Sequence, residues 1–160
     1  MFDLRLTTAS PAQTADLAAD LARLLSPGDV VLLQGPIGAG KTHLARSLIR
    51  VLQGPDMAED IPSPTFTLVQ TYDTPRGEVW HADLYRLTDL TEVLELGLDE
   101  AFETAICLVE WPDRLGDAAP EDALTITLAP AGETERAIAV SGSADWAARM
   151  ADLAARWAAP

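Results

Sequence analysis

One cysteine, two histidines and eleven lysines plus arginines in 160 residues set the first limits on this chain. Cys107 stands alone in an apolar run, so no intrachain disulfide can form. His43 and His81 are the only histidines, too few for a His/Cys zinc site. No apolar run approaches the ~20 residues needed to cross a bilayer. Asp3 and Arg5 interrupt the N-terminal segment, unlike a signal peptide. The expected location is therefore the cytoplasm, without a membrane partner. Positive charge is scarce beside 25 acidic residues, and the formal net charge is −14. A chain this acidic is repelled by a phosphate backbone, so any contact with nucleic acid is expected through a partner. Arg46 and Arg50, one helical turn apart, make only a small patch and read as a solvated helix face.

What remains is ordinary for a globular protein: 48% hydrophobic and 22% charged residues. A chain of this length can bury a real core and reads as one domain over residues 1–160. Residues 2–7 alternate apolar and polar and read as a strand. Ser10-Pro11 opens a helix that runs to about Leu25, with Leu17, Leu21, Leu24 and Leu25 on one face, before Ser26-Pro27-Gly28 ends it. Residues 54–64 read as a loop, and 67–72 with 78–85 as a hairpin around Thr74-Pro75-Arg76-Gly77. A short helix over 89–96 ends at Gly97, and residues 98–102 add a turn. Strands are expected at 106–110, 124–128 and 136–140. A last helix from Ser143 sets Trp146, Met150, Leu153 and Trp157 on one stripe, read as core packing. Helices around a strand-rich middle indicate a three-layer α/β domain with a mixed sheet.

The most informative segment is Gly35-Pro36-Ile37-Gly38-Ala39-Gly40-Lys41-Thr42, a full match to the P-loop pattern G-x-x-x-x-G-K-[ST]. An apolar, β-branched strand precedes it at 29–34, and a helix follows with Leu44, Leu48, Val51 and Leu52 at helical spacing. Strand, glycine loop and helix together let backbone amides and a helix N-terminus converge on an anion. Lys41 would neutralise the β- and γ-phosphates, and the Thr42 hydroxyl would ligand Mg²⁺.

Ile106-Cys107-Leu108-Val109-Glu110 has the form of a Walker B strand, four apolar residues ending in a carboxylate, and makes Glu110 a magnesium ligand candidate. Period-two alternation in residues 80–85 buries Trp80, Ala82 and Leu84 and sends His81, Asp83 and Tyr85 to the other face. Those three either orient water and contact a triphosphate or lie on a solvated sheet face. Thr65, in Ser63-Pro64-Thr65-Phe66, is either a switch residue sensing the γ-phosphate or part of a plain turn.

In this order, Gly35–Thr42, Ser63–Val69, His81–Leu87 and Ile106–Pro112 resemble the TsaE family of bacterial tRNA threonylcarbamoyladenosine biosynthesis ATPases. The resemblance covers roughly residues 28–140 and implies an ATP-binding, slowly hydrolysing protein. It implies a complex with TsaB-like and TsaD-like partners that modifies the adenosine beside the anticodon. By resemblance, Lys41 and Thr42 serve ATP and Mg²⁺, Glu110 is the second magnesium contact, and Asp83 and Thr65 lie near the phosphates. Arg136 is the positional match for an arginine that approaches the nucleotide, and the segment from Thr7 to Gln13 closes over the adenine. The expected nucleotide-binding set is thus Gly35, Gly38, Ala39, Gly40, Lys41, Thr42, His43, Thr65 and Arg136, with Lys41, Asp83 and Glu110 catalytic. Pro36, Ile37 and His43 depart from the family's usual residues, and Pro36 offers no N–H. The alternative is a small-molecule kinase built on the same loop. Against it, the chain has no arginine-dense lid, and no Asn-Lys-x-Asp stretch would read guanine in a GTPase.

Overall fold

A computed structural model describes residues 1–54, 68–87 and 89–158 of the chain. Strand β1 (Phe2–Thr8) buries every second residue, as its alternation requires. Helix α1 (Pro11–Ala22) starts where Ser10 caps it, the Ser10 hydroxyl accepting from the Gln13 amide at 3.2 Å. The Gln13 side chain returns the favour to the Ala9 amide at 2.7 Å. The helix stops about three residues before the sequence suggests. The Leu24 and Leu25 amides bond three residues back, and Asp29 takes the Ser26 amide at 2.8 Å. These tighter turns unwind the last helical turn.

Strand β2 (Val30–Gln34) leads into the glycine loop and helix α2 (Lys41–Gln53). Strands β3 (Val69–Thr74) and β4 (Gly77–Asp83) form the expected hairpin, with Thr74 opposite Gly77. Helix α3 (Leu90–Glu95) is capped by Asp89, whose carboxylate accepts from the Thr91 amide at 3.0 Å. Helix α4 (Leu98–Thr104) and strand β5 (Ile106–Glu110) follow. A 3₁₀ segment over Pro112–Ala118, not foreseen from the sequence, precedes β6 (Leu124–Pro130) and β7 (Arg136–Gly142). The single C-terminal helix expected from Ser143 is instead α5 (Asp145–Arg149) and α6 (Ala151–Trp157). Met150 turns between them at φ −96°, ψ 2°, while bonds from Met150 N to Trp146 O and from Ala154 N to Met150 O span the break. Trp146, Met150 and Leu153 are buried in the core, as the stripe requires.

All seven strands form one mixed sheet in the order β1-β7-β6-β2-β5-β4-β3. The four central strands β6, β2, β5 and β4 run parallel, and β3, β7 and β1 are antiparallel to their neighbours. Apolar clusters cover both faces, giving the three-layer α/β architecture. Val31, Leu33 and Leu108 pack with α1 and α2, and Val30, Leu32 and Val109 pack with α3 and α4. All five β5 residues are buried, which is why its sequence is apolar without alternation. Parallel register brings the C-terminal ends of β2, β5 and β4 to one edge, where Leu33 pairs with Glu110 and Glu110 with Asp83. In sheets of this type ligands are held at that edge. No helix among the described residues is long and apolar enough to cross a membrane.

Candidate functional site

The glycine loop leaves β2 with three glycines at positive φ: Gly35 (146°), Gly38 (84°) and Gly40 (101°). Gly35 is obligatory on steric grounds as well, because a Cβ there would stand 2.4 Å from the Leu128 carbonyl oxygen. Helix α2 begins at Lys41 with Gly40 as its N-cap, and no side chain caps it. Its ladder opens with the Leu44 amide bonding the Gly40 carbonyl at 2.9 Å. The amides before Leu44 therefore have no partner within the helix and carry the positive end of its dipole. That is an anion-binding arrangement built from backbone alone.

Opposite the loop, the sheet edge supplies carboxylates. The Thr42 hydroxyl donates to Glu110 Oε1 at 2.8 Å, and the other Glu110 oxygen, Oε2, lies 2.7 Å from His81 Nε2. Glu110 and His81 are both buried. Asp83 sits beside Glu110 on the next strand, and its Oδ1 accepts from the Tyr85 amide at 3.1 Å. Burial raises the Asp83 carboxyl above the usual carboxylate range, the Tyr85 amide opposing and the neighbouring Glu110 charge adding to the rise.

Lys41 is the positive group at the loop. Its ammonium donates to the Gly35 carbonyl and, at 3.1 Å, to that of Pro36, and it lies 4.0 Å from the centre of a Trp111 ring. Burial pushes its pKa below the ordinary lysine value, against the pull of Glu110, Asp83 and Asp113. Tyr85 meets Trp111 at 4.8 Å between ring centres. Loop, carboxylates and rings enclose a cavity of about 360 Å³, which Arg86 also lines. Leu68 (φ 62°) and Trp111 (φ 58°) are the non-glycine residues at positive φ among the described residues, and both line it. Strain of that kind concentrates where side chains must be aimed at a site.

The expected residues meet here with a few differences in role. Gly38, Ala39, Gly40, Lys41, Thr42, His43, Asp83 and Glu110 line the cavity, while Gly35 contributes its carbonyl to Lys41. The His43 ring turns away, 3.0 Å from the Pro11 carbonyl oxygen, so what His43 offers the loop is its backbone amide. Arg136 braces the loop from outside: Nε donates to the Ala39 carbonyl at 2.9 Å, and one Nη to that of Gly38 at 3.4 Å. Thr65 lies outside the described residues. Pro36 does not line the cavity.

His81 was read as either a water-orienting group or part of a solvated face, and it is neither exposed nor free: it is the buried partner of Glu110. Trp80 is only half-buried, so the alternation in β4 does not separate a wet face from a dry one. Trp111 was legible only as part of the Glu110-Trp111-Pro112 run, because nothing in a sequence announces positive φ in a bulky residue. Cys107 is buried, and burial pushes its thiol up to about 12, away from the thiolate form.

Comparison with known proteins bears on the family and the fold. The family model described as "Threonylcarbamoyl adenosine biosynthesis protein TsaE" matches residues 8–138. A Rickettsia bellii protein named tRNA threonylcarbamoyladenosine biosynthesis protein TsaE is 39% identical over 119 residues, 74% of this chain and 81% of that one. The Bacillus subtilis protein of the same name is 36% identical over 86% of this chain and 85% of its own length. For the Treponema pallidum protein the figures are 36%, 86% and 100%. Among solved structures, the crystal structure of Bacillus subtilis YdiB superposes with a TM-score of 0.76 at 28% identity, covering 97% of this chain and 95% of that one. With residues 8–138 matched and relatives spanning most of its length, the chain belongs to the TsaE family of tRNA threonylcarbamoyladenosine biosynthesis.

Proposed function

We propose that this protein binds ATP with Mg²⁺ and hydrolyses it slowly, and that the hydrolysis supports threonylcarbamoyladenosine modification of the tRNA adenosine beside the anticodon. It would act within a complex with TsaB-like and TsaD-like partners, touching tRNA only through them. The observation that carries the reading is the convergence at one sheet edge of an uncapped helix N-terminus, Lys41 and the Thr42–Glu110 contact at 2.8 Å. The donor set fits the metal: a hydroxyl and a carboxylate oxygen, with the Asp83 carboxylate adjacent, are hard oxygen ligands of the kind Mg²⁺ prefers. When bound, the metal would neutralise charge developing on the transferring phosphoryl group.

The protein's own groups would divide the remaining work. The α2 amides and Lys41 would hold the phosphates, Lys41 exchanging the Gly35 and Pro36 carbonyls for phosphate oxygens. Glu110 has both oxygens committed, to Thr42 and His81, which suits a ligand and not a base. Asp83 has one oxygen on the Tyr85 amide and no partner for the other among the described residues, so it would orient the attacking water. Positioning and charge stabilisation, without a covalent intermediate, would supply the rate.

The test is multiple-turnover formation of threonylcarbamoyladenosine by the two partners with tRNA, threonine, bicarbonate and ATP. It is run without this chain, with it, and with its Lys41→Ala form. The expected result is that only the intact chain sustains turnover beyond one product per complex. Equal product in all three reactions would sink the proposal and turn attention to phosphate transfer onto small acceptors.

A further inference from the structure

The His81–Glu110 contact is more enclosed than anything else at this site. The His81 side chain is fully buried and that of Glu110 is 3% exposed, with Nε2 and Oε2 2.7 Å apart. His81 Nδ1, equally buried, has no hydrogen-bond partner among the described residues. A hydrogen on Nδ1 would be stranded in dry surroundings, so the favoured tautomer carries its proton on Nε2, where it donates to Glu110. A histidine kept merely to fill the core would gain nothing from a nitrogen left bare. The polarity of this ring serves one neighbour, the carboxylate.

Backbone register explains why the two meet. His81 stands opposite Leu108, and Asp83 opposite Glu110, so His81, Asp83 and Glu110 share one face of the sheet at its C-terminal edge. A buried carboxylate with a single partner can turn about its terminal bond. With Oε2 tied to His81, only Oε1 is presented toward the loop, and it is the oxygen that Thr42 contacts at 2.8 Å.

We propose that His81 is a positioning residue that fixes the Glu110 carboxylate against Thr42 and so sets how tightly the site takes Mg²⁺. The inference rests on the nucleotide-and-magnesium reading and adds the group that tunes it. Outer partners that orient a ligating side chain change metal affinity by about 10- to 100-fold when removed.

Binding of a fluorescent ADP analogue to the full chain, titrated with MgCl₂ from an EDTA-treated start, tests this without relying on turnover. Thermal melts report folding in parallel. His81→Leu is expected to raise the Mg²⁺ concentration for half-maximal effect by about 10- to 100-fold, with metal-free nucleotide binding unchanged. His81→Gln keeps an N–H that reaches toward Oε2 and should recover most of the loss. His81→Asn is one methylene shorter and should not, which carries the comparison if the leucine form does not fold. In a Glu110→Gln background, His81→Leu should add nothing, because its effect runs through that carboxylate. A normal Mg²⁺ response in His81→Leu, equal impairment of Gln and Asn, or additivity with Glu110→Gln would each overturn the inference. A wild-type chain whose nucleotide binding ignores Mg²⁺ would instead bring down the magnesium reading itself, and this inference with it.

Discussion

Strand β2 has a polar cluster at each end, and the two are built on opposite plans. At its start, Asp29 receives Arg149 through both carboxylate oxygens, with the Nη1–Oδ1 bond at 2.9 Å, and also takes the Ser26 amide at 2.8 Å. Arg149 further donates to the Leu24 carbonyl at 2.6 Å and lies 4.1 Å from the centre of the Trp146 ring. Each charge is matched by groups of the chain itself, and the ion pair raises the pKa of the guanidinium. At its end, by contrast, α2 is uncapped, burial disfavours the Lys41 charge, and Asp83 keeps an oxygen without a partner among the described residues. The closed cluster pins α5 to the sheet. The open one holds binding capacity that folding did not consume, as a site for an anion and a cation must.

If that contrast is sound, substitutions at the two ends should separate binding from stability. The largest effect belongs to Lys41→Ala. Lys41 is the only lysine in the chain, so no second ammonium can replace it. Losing a charge-assisted bond to phosphate should weaken ATP binding by about 3 kcal/mol, somewhat more than 100-fold. The melting temperature should hardly move, because burial already disfavours the charge there. Isothermal titration with ATP and a thermal melt on the same sample check both halves. A large fall in melting temperature would show that Lys41 is part of the scaffold and the two ends are not different in kind.

Next in size is Arg149→Met at the closed end. It leaves Asp29 without its cation and the Leu24 carbonyl without its donor. Part of the pair is exposed to solvent, so the cost is about 2 kcal/mol, or roughly 4–8 °C in melting temperature for a chain of this length. Nucleotide affinity should stay at the wild-type value, since Arg149 lies at the opposite edge of the sheet. Calorimetric melting with and without ATP reads both numbers. Weakened ATP binding in a folded variant would mean the two ends are coupled through β2.

Much of this was legible in the residues because the open end is made from local signals. Gly35, Gly38 and Gly40 before Lys41-Thr42 dictate loop geometry within eight residues, and the apolar run to Glu110 dictates a buried strand with its carboxylate at the edge. The hairpin followed from Thr74–Gly77 and the start of α1 from Ser10-Pro11. What escaped was set by tertiary pairing. His81 looks like one more polar residue of an alternating strand until β5 is laid beside it and Glu110 covers it. Trp111 reads as an apolar residue after an acid, and only a positive φ carries its ring over Lys41. Arg136, expected near the nucleotide, also bonds the Ala39 carbonyl at 2.9 Å, a bracing contact set by the pairing of β7 with β6. The early end of α1 depended on Asp29 reaching back to Ser26, a contact three residues apart that propensity does not weigh.

The effect most particular to the open end is a gain in stability instead of a loss. Burial raises the Asp83 pKa above the ordinary aspartate value, so the folded chain holds that proton more tightly than the unfolded chain does. A raised pKa gives stability that is complete below the unfolded value and is lost as pH climbs through the folded one. At neutral pH the ionised Asp83 is therefore a burden on the fold. Asparagine keeps an oxygen for the Tyr85 amide and carries no charge to desolvate. Asp83→Asn should accordingly melt a few degrees higher at pH 7, with the gain shrinking as pH falls toward the ordinary carboxylate range and the aspartate protonates. ATP hydrolysis by the same variant should fall by about 100-fold or more, as expected when a group that orients water is removed. Melts across pH 4 to 7, the lower bound set by the ordinary carboxylate range, supply the check. A variant less stable than wild type at neutral pH would place Asp83 with Asp29, among the charges that hold the fold together.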